Sequence, residues 1–253
     1  MLPHGCACST TLINSRPDNN DPNTTMFLGP LRTLLFGAAL WLPLAFFIWF
    51  YLSALLVAPV RWIADKVLVG WMPEVFSGSE QANYVINFIT RLPVDPALLP
   101  PGFDPSQGVP AVAIDVNPMI YGYCFPVLIG LVMATPLSFR QRAMQFVISL
   151  AVLWPVQAFG VVFDTLKSLR FEAGPAGMAA VEAAGLSANL IAFCYQMGYL
   201  ILPAVLPIVL WVGMNRSFIE RLVTVDDDRL ADVITGEDIE KEKKAALSKE
   251  KSA

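Results

Sequence analysis

The chain has 253 residues, 55% hydrophobic and 15% charged, with a net charge of −4 and a mean hydropathy of +0.56. That balance excludes an ordinary soluble domain, which needs more polar cover. The lack of a basic patch interleaved with aromatics excludes a nucleic-acid partner.

Residues 1–30 form an arm rich in Asn, Asp, Pro, Ser and Thr, a composition that predicts disorder. Met26 serves equally well as the start. No apolar segment precedes Cys6, so the arm carries neither a secretory nor a lipoprotein signal. His4-Gly5-Cys6-Ala7-Cys8 offers three soft-metal ligands, too few for a closed site, and neither a metal nor a cofactor is expected.

Four runs then lack any Asp, Glu, Lys or Arg: Thr33 to Val60, Val116 to Phe139, Ala143 to Phe163, and Ala183 to Asn215. A bilayer core requires about 20 apolar helical residues, so each run predicts a crossing. The expected fold is an all-α polytopic membrane protein. Its four transmembrane helices cover 31–60, 118–137, 143–165 and 189–213, with a small extracytoplasmic β-ribbon lobe between the first two.

The lobe spans 61–117. It opens with Arg61 to Trp71, whose charges alternate with Trp and aliphatics. This segment reads as an interfacial helix with Trp62 and Trp71 at headgroup level, or as an extension of the first span. Period-2 alternation over Tyr84 to Ile89 and again over Ala111 to Val116 predicts two antiparallel strands. Pro93, Pro96, Pro100, Pro101, Pro105 and Pro110 exclude a regular element between them. A lone ribbon is marginal in water, so it rests on the membrane surface or joins a partner's sheet.

A turn over Ser138 to Arg142 joins the second and third spans. The loop 166–188 contains an Ala/Gly-rich stretch, Ala176 to Gly185, that predicts a surface helix or re-entrant turn. The charged tail, 214–253, pairs Glu and Lys at i,i+4, as at Glu240 and Lys244. With four spans both termini share one side. That side holds 12 of the 17 Lys+Arg, including Arg140 and Arg142 in the tight turn. The positive-inside rule therefore places both termini in the cytoplasm.

Polar side chains within the spans are costly and so informative. Gln157, Gly160 and Asp164 sit at i, i+3 and i+7 on one helical face. Asn189, Gln196, Tyr199 and Pro203 sit at i, i+7, i+10 and i+14. The second span opens with Asn117, Tyr121, Tyr123 and Cys124, and Tyr51 lies towards the outer part of the first. All fall in the outer half of the bilayer under this threading. Tyr121, Tyr123, Gln157, Asp164, Asn189, Gln196 and Tyr199 are therefore candidates for a groove that binds a partner helix. The alternative is interhelical hydrogen bonding, with Asp164 at a wetted helix end paired to Lys167. Pro43, Pro126, Pro136, Pro155, Pro203 and Pro207 predict kinks.

No enzyme is expected. The only histidine is His4, far from Cys124 and Cys194, so no Cys/Arg/His transpeptidase set assembles. Asp164 is the only carboxylate offered to the bilayer interior, and an aspartyl protease needs two. No HExxH, GxSxG or phosphate loop occurs.

Three segments carry a resemblance. Val116-Asn117-Pro118-Met119-Ile120-Tyr121-Gly122-Tyr123 resembles the lead-in to the second span of exosortase H-associated membrane proteins. Gln157 to Lys167 resembles that family's third-span segment. Tyr195-Gln196-Met197-Gly198-Tyr199-Leu200-Ile201-Leu202-Pro203, followed by Trp211 to Leu222, resembles its last span and exit. The resemblance covers about Arg32 to Leu222. It implies a bacterial inner-membrane protein accompanying exosortase H, a membrane transpeptidase. That enzyme processes exported proteins bearing a short C-terminal sorting signal with its own hydrophobic helix. The family defines no catalytic residues. The function expected is thus a non-catalytic accessory that binds the sortase, the sorting-signal helix of its substrates, or both. The rival expectations are a small transporter or channel-like protein using Asp164, and an envelope assembly factor.

Overall fold

A computed structural model describes residues 29–94 and 110–221. The terminal arm to residue 28, the Pro-rich connection 95–109 and the tail from 222, with the readings placed on them, lie outside the described residues. The described chain is mostly helical, with one three-stranded sheet.

The first apolar run does not form a single helix. Helix α1 (Gly29–Tyr51) and helix α2 (Ser53–Trp71) meet at Leu52, whose carbonyl accepts a tighter i→i−3 bond from Leu55 N–H at 3.0 Å beside the i→i−4 bond from Leu56. The segment expected to start an interfacial helix at Arg61 is therefore the second half of α2. This helix has two faces: Val57, Val60, Ala64 and Leu68 are buried at i, i+3, i+7 and i+11, while Trp62 and Lys66 are exposed.

Three strands follow: β1 (Phe76–Ala82), β2 (Val85–Pro93) and β3 (Ala111–Val116), in the order β1-β2-β3 and antiparallel throughout. The expected pairing of two strands is present, with Ile86 opposite Val116 and Phe88 opposite Ile114. β1 was not expected. Its sequence, Ser-Gly-Ser-Glu-Gln after Phe76, has no apolar alternation, and the two-residue turn Asn83-Tyr84 holds it to β2. Asn83 takes φ 56°, a left-handed conformation that Asn tolerates better than most residues. The third strand turns a marginal ribbon into a sheet with one buried face. Phe76, Ile86, Phe88, Ile114 and Val116 all point into it.

The second apolar run folds as α3 (Met119–Gly122) and α4 (Cys124–Ala134), with a junction at Tyr123. Pro136 ends this run rather than kinking it, because Thr135 is extended before it. Helix α5 (Phe139–Phe171) begins directly after Ser138, which forms a capping box with Gln141. The turn is consequently 135–138, and Arg140 and Arg142 lie in the first helical turn. At 33 residues α5 is about 50 Å long, beyond the span expected at 143–165. Lys167, Ser168 and Arg170 continue the helix past its apolar section.

Helix α6 (Gly174–Ala183) occupies the Ala/Gly-rich stretch and is tied back by Arg170 to Glu182 at 3.0 Å. It stops at Gly185, whose φ of 74° permits the reversal. The last apolar run is α7 (Ala188–Gln196), a π-helical turn over Met197–Ile201, and α8 (Leu202–Met214).

Three helical segments are long and apolar enough to cross a membrane: Arg32–Tyr51, Phe139–Phe171 and Ala188–Met214. Met119–Ala134 is apolar but shorter. Two cores result. Cys124, Phe125, Leu128, Val132 and Leu153 fill the apolar bundle. The other core joins α2, the sheet, α6 and the C-terminal part of α5 through Val161, Val162, Leu166 and Leu169. The long α5 therefore belongs to both bundle and lobe.

Candidate functional site

The polar face read on α5 exists, and it is closed. Gln157, Gly160 and Asp164 are all buried. Tyr121 is fully buried, and its ring lies on Gly160, where an added Cβ would stand 2.5 Å from the ring. Gly198 of the π turn packs on the same spot, its own Cβ position 2.9 Å from the Gly160 Cα. Only glycine at both positions allows α3, α5 and the last helix to approach this closely. Gln157 Nε2 donates to the Pro118 carbonyl at 2.8 Å, joining α5 to the start of α3.

Asp164 is not at a wetted helix end, because α5 continues for seven residues beyond it. Its carboxylate accepts from Lys167 Nζ at 3.2 Å, and their side chains are 12% and 29% exposed, respectively. Lys167 also reaches Glu172 at 3.6 Å and stands 4.9 Å from the Tyr195 ring centroid. Tyr195 stacks on Tyr199 at 5.9 Å, and Tyr199 meets Tyr121 edge-on at 6.2 Å. Asp164 and Tyr195 face the Tyr121 hydroxyl, which has no hydrogen-bond partner among the described residues. Carboxylate, ammonium and three tyrosines thus form one seam at the junction of bundle and lobe. A cation already sits at the carboxylate: Lys167.

The residues expected on the last helix behave differently. Helical arithmetic fails across Met197–Ile201, where Leu202 N–H donates five residues back to the Met197 carbonyl. The widened turn accommodates Pro203, which lacks a donor and whose ring crowds the preceding turn. Pro203 is consequently buried while Asn189 and Gln196 are exposed. On α7 the exposed stripe is Asn189, Ala192, Phe193 and Gln196, at i, i+3, i+4 and i+7. Tyr199 is 39% exposed next to it, and Tyr123 is half-buried. The expected residues therefore divide into two groups. Tyr121, Gln157 and Asp164 are internal, and Asn189 and Gln196 face outward.

A second polar contact had not been anticipated. Gln145 and Asn215 exchange amide hydrogen bonds at 2.9 and 3.3 Å, both residues buried. Beside them Trp211 Nε1 donates to Thr135 Oγ1 at 2.9 Å, so α4, α5 and α8 are joined near the 135–138 turn. Replacing Gln145 by Leu leaves the Asn215 amide partly unpaired, at a cost of about 1–3 kcal/mol. The expected outcome is a lower thermal midpoint in detergent. The Gln145→Leu/Asn215→Leu pair should recover part of it, because both partners are then removed. Equal losses in the single and double variants would contradict the pairing.

Among known proteins, the family model described as exosortase H-associated membrane protein matches residues 28–218. No curated protein and no solved structure matches the chain.

Proposed function

The chain belongs to the exosortase H-associated membrane protein family, and from that membership we propose that it is a non-catalytic accessory of an exosortase-type sorting system. It binds the sortase or the sorting-signal helix through the outward stripe of α7. In this reading Met119–Ala134 is a fourth crossing beside α1, supported by its close approach where Gly130 meets Leu42 and Gly37 meets Ala134. Both termini lie in the cytoplasm of a bacterium with the inner membrane around the bundle, and the sheet lies outside.

One observation carries this reading. Gln196 is an exposed amide on an apolar helix, with no hydrogen-bond partner among the described residues. Such a group in hydrocarbon is unfavourable alone and favourable against another helix that supplies a donor or acceptor. Asn189 and the exposed Phe193 extend the same face, which gives a partner helix both packing surface and hydrogen bonding. The internal seam does not compete for this role, because Tyr121, Gln157 and Asp164 are enclosed.

The test is co-purification from mild detergent, with a photocrosslinker in place of Phe193. Exosortase H or a sorting-signal protein should be enriched with the tagged chain and crosslink to it. Gln196→Leu should lower recovery about three- to thirty-fold, the equivalent of about 0.6–2 kcal/mol for an interhelical amide contact. Absence of both proteins from the purified material would end this reading.

A further inference from the structure

The two edges of the sheet are not equivalent. The hairpin closes with Ala82 opposite Val85 across two turn residues, which makes that pair hydrogen-bonded. Backbone groups of Val85, Asn87 and Ile89 therefore face β1, and those of Ile86, Phe88 and Thr90 face β3. Across from the latter, Val116, Ile114 and Val112 turn their backbone groups toward β2. Two contacts agree with this phase: Thr90 Oγ1 donates to the Val112 carbonyl at 2.7 Å, and Val94 N–H to the Pro110 carbonyl at 2.9 Å. The alternate residues, Ala113 and Asp115, must then point their N–H and C=O groups away from the sheet.

The outer edge of β1 is tied to α2. Arg61 donates to the Ser79 carbonyl at 2.9 Å and Gln81 to the Ala54 carbonyl at 2.8 Å. Among the described residues, no side chain hydrogen-bonds the outer edge of β3. Beside it runs a groove of about 240 Å³, walled by Ala113 and Asp115 on one side and by Ser168, Glu172 and Ala173 on the other. Two carboxylates border this groove. Asp115 is exposed, accepts from the Asn87 side-chain amide at 2.6 Å and has no cationic partner among the described residues. Among the described residues Glu172 pairs with Lys167 alone, at 3.6 Å.

We propose that this groove binds an extended peptide segment carrying a lysine or arginine, which adds to β3 as a fourth strand. An edge with unpaired N–H and C=O groups recognises an extended backbone and little else. The two carboxylates select a basic side chain over an acidic one. The inference goes beyond the partner helix proposed for α7, uses different residues and does not depend on it.

Fluorescence anisotropy on the purified full chain in mild detergent tests the proposal. The probe is a fluorescein-labelled peptide of alternating threonine and valine with a central lysine. Saturable binding is expected. The same peptide N-methylated at its central residues, so that both edges are blocked, should bind at least about ten-fold more weakly. A central glutamate should weaken binding by a similar factor. Ala113→Pro removes one outward N–H while leaving the β2 ladder intact, since proline is tolerated at a strand edge. It should also reduce affinity about ten-fold. No saturable binding of the lysine peptide, equal binding of the N-methylated peptide, or wild-type affinity of a folded Ala113→Pro chain would each overturn the proposal. Should Ala113→Pro fail to fold, the N-methylated comparison on the wild-type chain decides alone. Failure to recover a sortase in the co-purification would leave this result unaffected.

Discussion

Gly160→Ala is expected to loosen the junction between bundle and lobe. The new methyl would lie 2.5 and 2.7 Å from two ring carbons of Tyr121, well inside contact distance. Tyr121 is fully buried and cannot swing away, and Gly198 closes the same surface from the last helix. Forcing extra volume into such a contact costs about 1–3 kcal/mol or more. The alanine would gain about 1 kcal/mol in helix propensity, so the steric effect wins over most of this range. Gly213→Ala is the control, since its Cβ would meet nothing within 4 Å. It takes the same propensity gain with no clash and should be neutral or slightly stabilising. Cys124, buried beside Tyr121, reports the opening in a chain whose other cysteines are serine. Its maleimide labelling should accelerate in Gly160→Ala by up to about thirty-fold, the ratio for a net loss of up to about 2 kcal/mol. Labelling at the wild-type rate would show that the helices do not meet as described.

The same seam shows what the sequence could and could not reveal. Uncharged runs announce apolar helices because hydrocarbon excludes charge, and those helices are present. The face of Gln157, Gly160 and Asp164 was legible because α5 is regular, so 3.6-residue arithmetic holds along it. On the last helix that arithmetic breaks at the π turn, and nothing short of the Pro203 ring hints at it. Burial was illegible in both cases. Spacing says that residues share a face but not what the face meets, so Asp164 and Gln196 looked alike and are opposites.

Two features were missed for other reasons. β1 has a polar sequence without alternation, and its place is fixed by the turn at Asn83 and by contacts from α2. The Gln145–Asn215 contact joins residues 70 positions apart, a separation that no local pattern signals. Its only trace was an amide near the border of each uncharged run. The boundary at Leu52 was hidden because Tyr51, Leu52 and Ser53 interrupt neither charge nor hydropathy.

Lys167→Met should be the most damaging single change in the seam, and more damaging than Asp164→Asn. Removing one partner of a buried ion pair leaves a charge without compensation and costs about 3–5 kcal/mol. Lys167 is 29% exposed, so water offsets part of this and about 2–4 kcal/mol is expected. Methionine keeps most of the apolar stem, so the effect reads the ammonium rather than lost packing. Asp164→Asn is milder for a specific reason: Lys167 retains Glu172 at 3.6 Å and the Tyr195 ring at 4.9 Å. The double variant Asp164→Asn/Lys167→Met should be more stable than Lys167→Met, since no buried unpaired carboxylate remains and Glu172 is exposed to water. Thermal unfolding in detergent gives the ranking, and a double variant no better than Lys167→Met would refute a direct pair. The same variants separate an accessory from a carrier. A proton- or ion-coupled carrier would need Asp164 to exchange its cation, so Asp164→Asn would abolish coupled flux in proteoliposomes. An accessory in which Lys167 already neutralises that carboxylate should still recover its partner with Asp164→Asn. It should lose the partner with Lys167→Met only to the extent that the fold is lost.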